Sequence, residues 1–244
     1  MQSVVLDFEV CGLHLRQGAH TLITGLGFLL EPGEVLGILG ANGAGKSTLL
    51  VTLAGLSPPD TGHIRLGPHL IHALLPLTRA QHIGLLPQQH ESGFLGSVED
   101  FVGLGRYPFG NNEGDAKSHL ARWGLDELAQ RSLATLSGGE CQRARLAQLS
   151  VQAPQYYLLD EPLTHLDPAH QARFLAWARA EADAGKSVVF TLHDPNWAAC
   201  HCDRLLFLFG DGRWQIGSPD LLLTPASLEA LYGTGTAALW QSAR

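Results

Sequence analysis

Between residues 3 and 38, short apolar runs alternate with Gly and Pro breaks, among them Val4-Val5-Leu6, Leu22-Ile23 and Gly27-Phe28-Leu29-Leu30. That spacing predicts short strands joined by hairpins. The next run, Val35-Leu36-Gly37-Ile38-Leu39, ends against a glycine-rich segment and leads into a helix-like stretch over 46–54, which Gly55 and Pro58-Pro59 stop. Strand, glycine loop, helix is the order this predicts. Further strands are expected over 62–66 and 82–86. From residue 98 to about residue 153 the apolar spacing turns helical, with Gly and Pro gathered at joints such as Tyr107-Pro108-Phe109-Gly110. Two more apolar strands, 156–159 and 187–191, flank a helix over about 168–184, the alternation that a parallel sheet requires. The expectation is a single domain over 1–244. Its core, 1–88 and 154–244, carries an N-terminal antiparallel β part, and a helical subdomain over about 89–153 is inserted in it.

Composition narrows the classes. Hydrophobic residues make up 45% of 244 positions and charged residues 16%, which excludes disorder as the dominant state. Lys+Arg number 16 against 23 Asp+Glu, and the resulting charge of -7 has the wrong sign for tracking phosphates along a nucleic acid, so no nucleic-acid partner is expected. No apolar run is long enough to span a bilayer, and Met1-Gln2-Ser3-Val4-Val5 lacks the start of a signal peptide; a soluble cytoplasmic chain is expected. Cys11, Cys141, Cys200 and Cys202 give no disulfide framework. Cys200-His201-Cys202 cannot complete a tetrahedral metal site from adjacent positions alone, and His69 and His72, three apart, are read as solvated rather than as one ligating helix face.

The strongest chemical signal is Gly40-Ala41-Asn42-Gly43-Ala44-Gly45-Lys46-Ser47, followed by Thr48. It matches a phosphate-binding loop between a strand and a helix. Its glycines let backbone N–H groups turn inward around a polyphosphate, while the helix that follows presents its positive end to the same anion. Lys46 is then placed to reach the β and γ phosphates, and Ser47 to offer a hydroxyl to Mg²⁺. A glycine-rich turn with a surface lysine is the bland alternative; the agreement of strand, loop, Lys-Ser and helix argues against it.

A second constellation begins where Tyr156-Tyr157-Leu158-Leu159 runs into Asp160-Glu161-Pro162. Two carboxylates at the end of a buried parallel strand sit at the sheet edge where ligands of such sheets bind. Asp160 would hold Mg²⁺, directly or through water. Glu161 would polarise an attacking water as general base, a role worth roughly 10²–10⁴-fold in rate. His193, at the end of another apolar strand, is a candidate for the γ-phosphate; a purely structural histidine is the alternative.

Upstream lies Leu136-Ser137-Gly138-Gly139-Glu140, then Gln142-Arg143. Here the sequence resembles the ATP-binding cassette (ABC) family over essentially its whole length. The resemblance implies a P-loop NTPase core of the ABC ATPase type, with ATP and Mg²⁺ bound. It makes Gln88 the Q-loop glutamine and a Mg²⁺ contact, Leu166-Asp167 part of the D-loop, and His193 the switch histidine. It also implies a head-to-tail dimer of two copies, in which Ser137, Gly138, Gly139 and Glu140 of one cover the nucleotide held by Lys46 of the other. As partners it implies integral membrane permease subunits and a periplasmic or extracellular substrate-binding protein. The chain would then sit peripherally on the cytoplasmic face of the cell membrane.

Departures from the family pattern are equally specific. Gln17 stands where such chains usually carry an aromatic against adenine, with Phe8 or His20 as possible replacements; Phe8 also reads as core and His20 as a solvated turn. Cys141 follows the signature where arginine or glutamine is common. Ser97-Val98-Glu99-Asp100-Phe101 through Gly105-Arg106-Tyr107-Pro108 resembles ATPases of iron-siderophore, haem and cobalamin importers. Within that subgroup, Pro87-Gln88-Gln89-His90 and residues 207–214 point to cobalamin, with iron-siderophore or haem import as the alternative. A soluble, non-transport ABC ATPase is the reading from a different class, and the absence of a second phosphate loop or sustained heptads speaks against it.

Overall fold

In the computed structural model residues 6–88, 94–110 and 116–236 are described. Val4 and Val5 of the first expected strand, and Gln89 and His90, lie outside them. The chain runs β1 (Phe8–Gln17), β2 (His20–Leu30), β3 (Val35–Gly40), α1 (Lys46–Leu53), β4 (Thr61–Leu66), β5 (His69–Leu70), α2 (Pro76–His82), β6 (Ile83–Leu86), α3 (Val98–Gly103), α4 (Ala116–Arg122) and α5 (Gly138–Gln152). It continues through β7 (Tyr156–Leu159), α6 (Pro168–Asp183), β8 (Ser187–Leu192), α7 (Pro195–His201), β9 (Arg204–Leu208), β10 (Trp214–Gly217), α8 (Pro219–Leu222) and α9 (Pro225–Tyr232).

Two sheets divide the strands. One is antiparallel, in the order β2-β1-β4-β5; the other runs β10-β9-β3-β8-β7-β6 and is parallel except for β10. In the parallel sheet every residue of β3, β7 and β8 is buried, which explains why these strands read as unbroken apolar runs. Alternation still decides which core each residue enters. Val35 and Leu39 of β3 join the helical side, with α5, α6 and Trp123, whereas Leu36 and Ile38 join the side closed by α1 and the antiparallel sheet.

The inserted subdomain is organised around α5. Helices α3 and α4 pack on it, and the fully buried Trp123 donates its indole N–H to Ser150 Oγ of α5 at 3.2 Å. Local chemistry sets the helix starts. Ser97 caps α3 reciprocally with Asp100, and Asp167 caps α6 ahead of Pro168, whose missing N–H costs nothing in the first turn.

One expectation needs correction. The strand expected over 82–86 starts only at Ile83, because Pro76 opens a helix that ends at His82. His69 and His72 share no helix: the first lies in β5 and the second in a 3-10 turn, both exposed. Cys202 is buried and Cys200 exposed, and among the described residues no group of three metal-binding side chains converges.

Candidate active site

Four connections leave the carboxyl edge of the parallel sheet side by side, because β3, β8, β7 and β6 are neighbours running the same way. Strand β3 delivers the glycine loop, β8 His193, β7 the Asp160-Glu161 pair and β6 Gln88. Segments well over a hundred residues apart in sequence thereby meet around one cavity of about 630 Å³. It is lined by Gln17, the loop and first turn of α1 (Asn42, Gly43, Gly45, Lys46, Ser47, Thr48), Gln88, Glu161 and His193.

The loop holds its shape through backbone geometry. Gly43 and Gly45 take φ of 81° and 98°, a region that residues with a Cβ adopt only rarely and at a cost, and this turns the chain so that α1 starts directly at the cavity. Lys46 is buried, and its Nζ donates to the carbonyls of Gly40 at 2.7 Å and Ala41 at 3.1 Å. Burial pulls its pKa down, while the negative charges of Glu161 and Asp160 oppose that shift.

Opposite the loop, Glu161 sits at φ 48°, left-handed for a residue with a Cβ, a conformation costing on the order of 1–3 kcal/mol. Thr191 Oγ1 holds it there, accepting from Glu161 N at 2.6 Å and donating to Asp160 Oδ1 at 2.9 Å. The Glu161 carboxylate accepts from Gln88 Nε2 at 2.8 Å and from Thr164 Oγ1 at 3.2 Å, and its Oε1 lies 3.0 Å from His193 Nε2. Burial alone would raise the pKa of Glu161; the hydrogen bonds from His193, Gln88 and Thr164 outweigh it and hold the carboxyl below its usual range. The residue expected to act as base is therefore ionised and aimed into the cavity.

The donor set fits a magnesium-bound triphosphate. Lys46 and the inward-turned loop supply cations and N–H donors for phosphate, and Ser47, the buried Asp160 and the amide oxygen of Gln88 are hard oxygen ligands of the kind Mg²⁺ takes. With its N–H₂ spent on Glu161, Gln88 keeps Oε1 for a cation.

The signature residues lie apart from this cavity. Ser137 caps α5, its Oγ donating to Glu140 Oε2 at 2.6 Å while Ser137 N donates to the same oxygen at 2.8 Å. Those bonds from Ser137 hold the Glu140 carboxyl below its usual range. Gly138 and Gly139 open the helix against His165, so the segments expected to be the signature and the D-loop form a single packed edge. Asp167 is exposed there and accepts from the backbone N–H of His170 at 2.8 Å.

Thr191 was not legible as a site residue. Its signal is a single hydroxyl in the otherwise apolar strand Val188-Val189-Phe190-Thr191-Leu192. Gln142 was named only as part of the signature segment; its Nε2 donates to Pro162 O at 3.2 Å, tying α5 to the turn after Glu161. Phe8 is fully buried against Tyr156 and so does not replace the aromatic at Gln17, while His20 is exposed and pairs with Gln17 across the hairpin.

Residues 23–164, more than half of the chain, match the ABC transporter family. The chain belongs to the ABC transporter family. It is an ATP-binding chain of that family and an ATPase. It is 41% identical over 238 residues to the hemin import ATP-binding protein HmuV of Pseudomonas entomophila, covering 94% of this chain and 92% of that protein. It is 42% identical to the hemin import ATP-binding protein of Bordetella pertussis over 243 residues (93% and 92%) and to that of Pseudomonas aeruginosa over 234 residues (92% and 92%). Among solved structures, a metal-chelate type ABC transporter in an inward-facing conformation matches with a TM-score of 0.78 at 32% identity, covering 93% of this chain and 89% of that one. An ATP-binding subunit of an ABC transporter matches the fold with a TM-score of 0.79 at 22% identity, covering 96% and 98%.

Proposed function

We propose that this ABC ATPase powers import of hemin or a closely related iron chelate through separate membrane-spanning subunits. The observation that carries this reading is its likeness, over more than nine-tenths of both chains, to hemin import ATP-binding proteins. This favours the iron and haem alternative over cobalamin: the cobalamin reading leaned on Pro87-Gln88-Gln89-His90 and on residues 207–214, two short segments, whereas the relatives matched along more than nine-tenths of the chain are hemin import proteins. No helix among the described residues is long and apolar enough to cross a membrane, so permease subunits would supply the path, with the ATPase at their cytoplasmic side and a substrate-binding protein delivering the chelate.

In the proposed chemistry ATP is the substrate. Backbone amides of Asn42, Gly43 and Gly45, with Lys46 and Thr48, would hold its phosphates, while Ala44, its N–H donated to Ala41 O at 3.1 Å, keeps the loop turned. Ser47, Asp160 and Gln88 would hold Mg²⁺, which when bound would neutralise phosphate charge. Glu161 takes the proton of the attacking water, and His193 faces the γ-phosphate as charge develops there. Ser137, Gly138, Gly139 and Glu140 of a second copy close the site, with Asp167 on the adjoining edge. Supporting these roles is the convergence of Lys46, Gln88, Glu161 and His193 on one cavity.

The test is reconstitution of the ATPase with its permease and binding protein in proteoliposomes. Hemin should stimulate hydrolysis severalfold over the unliganded complex. Stimulation by cobalamin or a ferric siderophore with none by hemin would overturn the substrate assignment.

A further inference from the structure

Within the buried strand β8, Thr191 places a hydroxyl where its neighbours Phe190 and Leu192 place hydrocarbon, and the residue is 1% exposed. A hydroxyl at that depth is costly unless it is hydrogen-bonded. The register supplies its partners. Leu159 and Phe190 are the last paired residues of β7 and β8, so the next step along both strands sets Asp160 beside Thr191. Thr191 Oγ1 then lies 2.9 Å from Asp160 Oδ1 and 2.6 Å from Glu161 N. One arrangement satisfies both neighbours. A carboxylate can only accept and a backbone N–H can only donate, so the hydroxyl proton goes to Asp160 and an oxygen lone pair faces Glu161.

Glu161 depends on that hold. Its φ of 48° is a conformation that a residue with a Cβ keeps only where its surroundings impose it. Thr191 takes its N–H from the neighbouring strand, and Thr164 N donates to its carbonyl at 3.1 Å from the turn that follows. With both backbone groups fixed, the side chain is carried into the nucleotide cavity. Thr191 itself borders a smaller cavity of about 280 Å³ behind Glu161 and is not part of the nucleotide cavity's lining.

We propose that Thr191 is a positioning residue for ATP hydrolysis: one hydroxyl, shared between the Asp160 carboxylate and the Glu161 backbone, sets the direction of the base toward the water it deprotonates. The inference rests on Glu161 acting as that base and is independent of what is transported. Thr191→Val keeps the size of the side chain and removes the hydroxyl, which frees the Glu161 peptide to leave its strained conformation. A misplacement of about 1 Å at a reacting group can cost about 10²-fold in rate.

The experiment measures steady-state ATP hydrolysis by the assembled transporter, with Mg-ATP affinity, the number of binding sites and Tm measured on the isolated chain. Thr191→Val is expected to lower kcat per nucleotide-binding site by about ten- to a hundredfold. KM and Kd for Mg-ATP should stay within about threefold of wild type, and Thr191→Ser, which keeps the hydroxyl, should bring kcat back to within about threefold. Should Thr191→Val fail to fold, Thr191→Ser against Thr191→Ala makes the same comparison, since both lack the methyl group and differ only in the hydroxyl. A hydroxyl that merely supports the fold would lower Tm and the number of binding sites but leave kcat per site unchanged. That result, or a hydroxyl-bearing variant as slow as its hydroxyl-free counterpart, would overturn the inference. Full activity of Glu161→Gln in the same assay would instead strike at the base assignment beneath it.

Discussion

At the scale of single residues, Glu161 concentrates the chemistry. Glu161→Gln keeps the shape and, through its one amide oxygen, the contacts with Gln88 and His193, but has no lone pair basic enough to take a proton from water. Hydrolysis is expected to fall by roughly 10²–10⁴-fold with Mg-ATP affinity retained, checked by steady-state rates beside nucleotide binding. Its pH behaviour has a definite sign. Burial favours the protonated acid, the bonds from His193, Gln88 and Thr164 favour the carboxylate, and the carboxylate wins. The base is lost only as pH falls through that depressed value, and the stability from its ionised contacts, present above its unfolded pKa, fades over the same descent. His193→Ala removes one donor and leaves burial less opposed. The acid limb of its kcat/KM profile should move to higher pH, separately from any drop in height; a limb that stays in place would mean the His193 contact does not tune Glu161.

Among elements, the junction between α5 and the turn at 161–166 makes the sharpest prediction. A Cβ on Gly138 would lie 3.8 Å from the His165 ring, ordinary contact, whereas one on Gly139 would lie 2.7 Å from the His165 carbonyl oxygen, backbone that cannot swing aside. Gly138→Ala should be neutral or slightly stabilising, since alanine suits a helix better. Gly139→Ala should cost about 1–3 kcal/mol, a fall of roughly 2–4 °C in Tm per kcal/mol for a chain of this size. Equal effects of the two on thermal unfolding would contradict the packing. This junction also shows what the sequence could reveal. The glycine loop, the Asp160-Glu161 pair and Ser137-Gly138-Gly139-Glu140 were legible because each is contiguous and sits at a strand end or helix start. The cage around Glu161 was not, since Gln88, Thr164, Thr191 and His193 meet through strand order rather than chain order. Helix α2 escaped notice because seven residues opening on Pro76 carry too little periodicity to separate from the strand they feed.

For the molecule as a whole, the separation of two helix starts, one at Lys46 and one at Ser137, is the decisive feature. Lys46 and Ser47 open α1 inside the nucleotide cavity, while Ser137 opens α5 on a different edge and lines no part of that cavity. If both act on one nucleotide, they come from different copies of the chain. Ser137→Asn preserves a good helix cap and so isolates this role from stability. The isolated variant should bind Mg-ATP as wild type does, whereas Lys46→Ala, which removes the cation facing the phosphates, should not. Each substitution alone should silence the homodimer. Mixing the two chains then discriminates. In the mixed dimer, intact Lys46 of the Ser137→Asn chain faces intact Ser137 of the Lys46→Ala chain, giving one complete site and one carrying both defects. Single-turnover hydrolysis should reappear at close to one ATP per mixed dimer in the assembled transporter. Were the two residues to serve a site within one chain, every site in the mixture would stay defective, and the absence of any recovered turnover would rule out the head-to-tail arrangement.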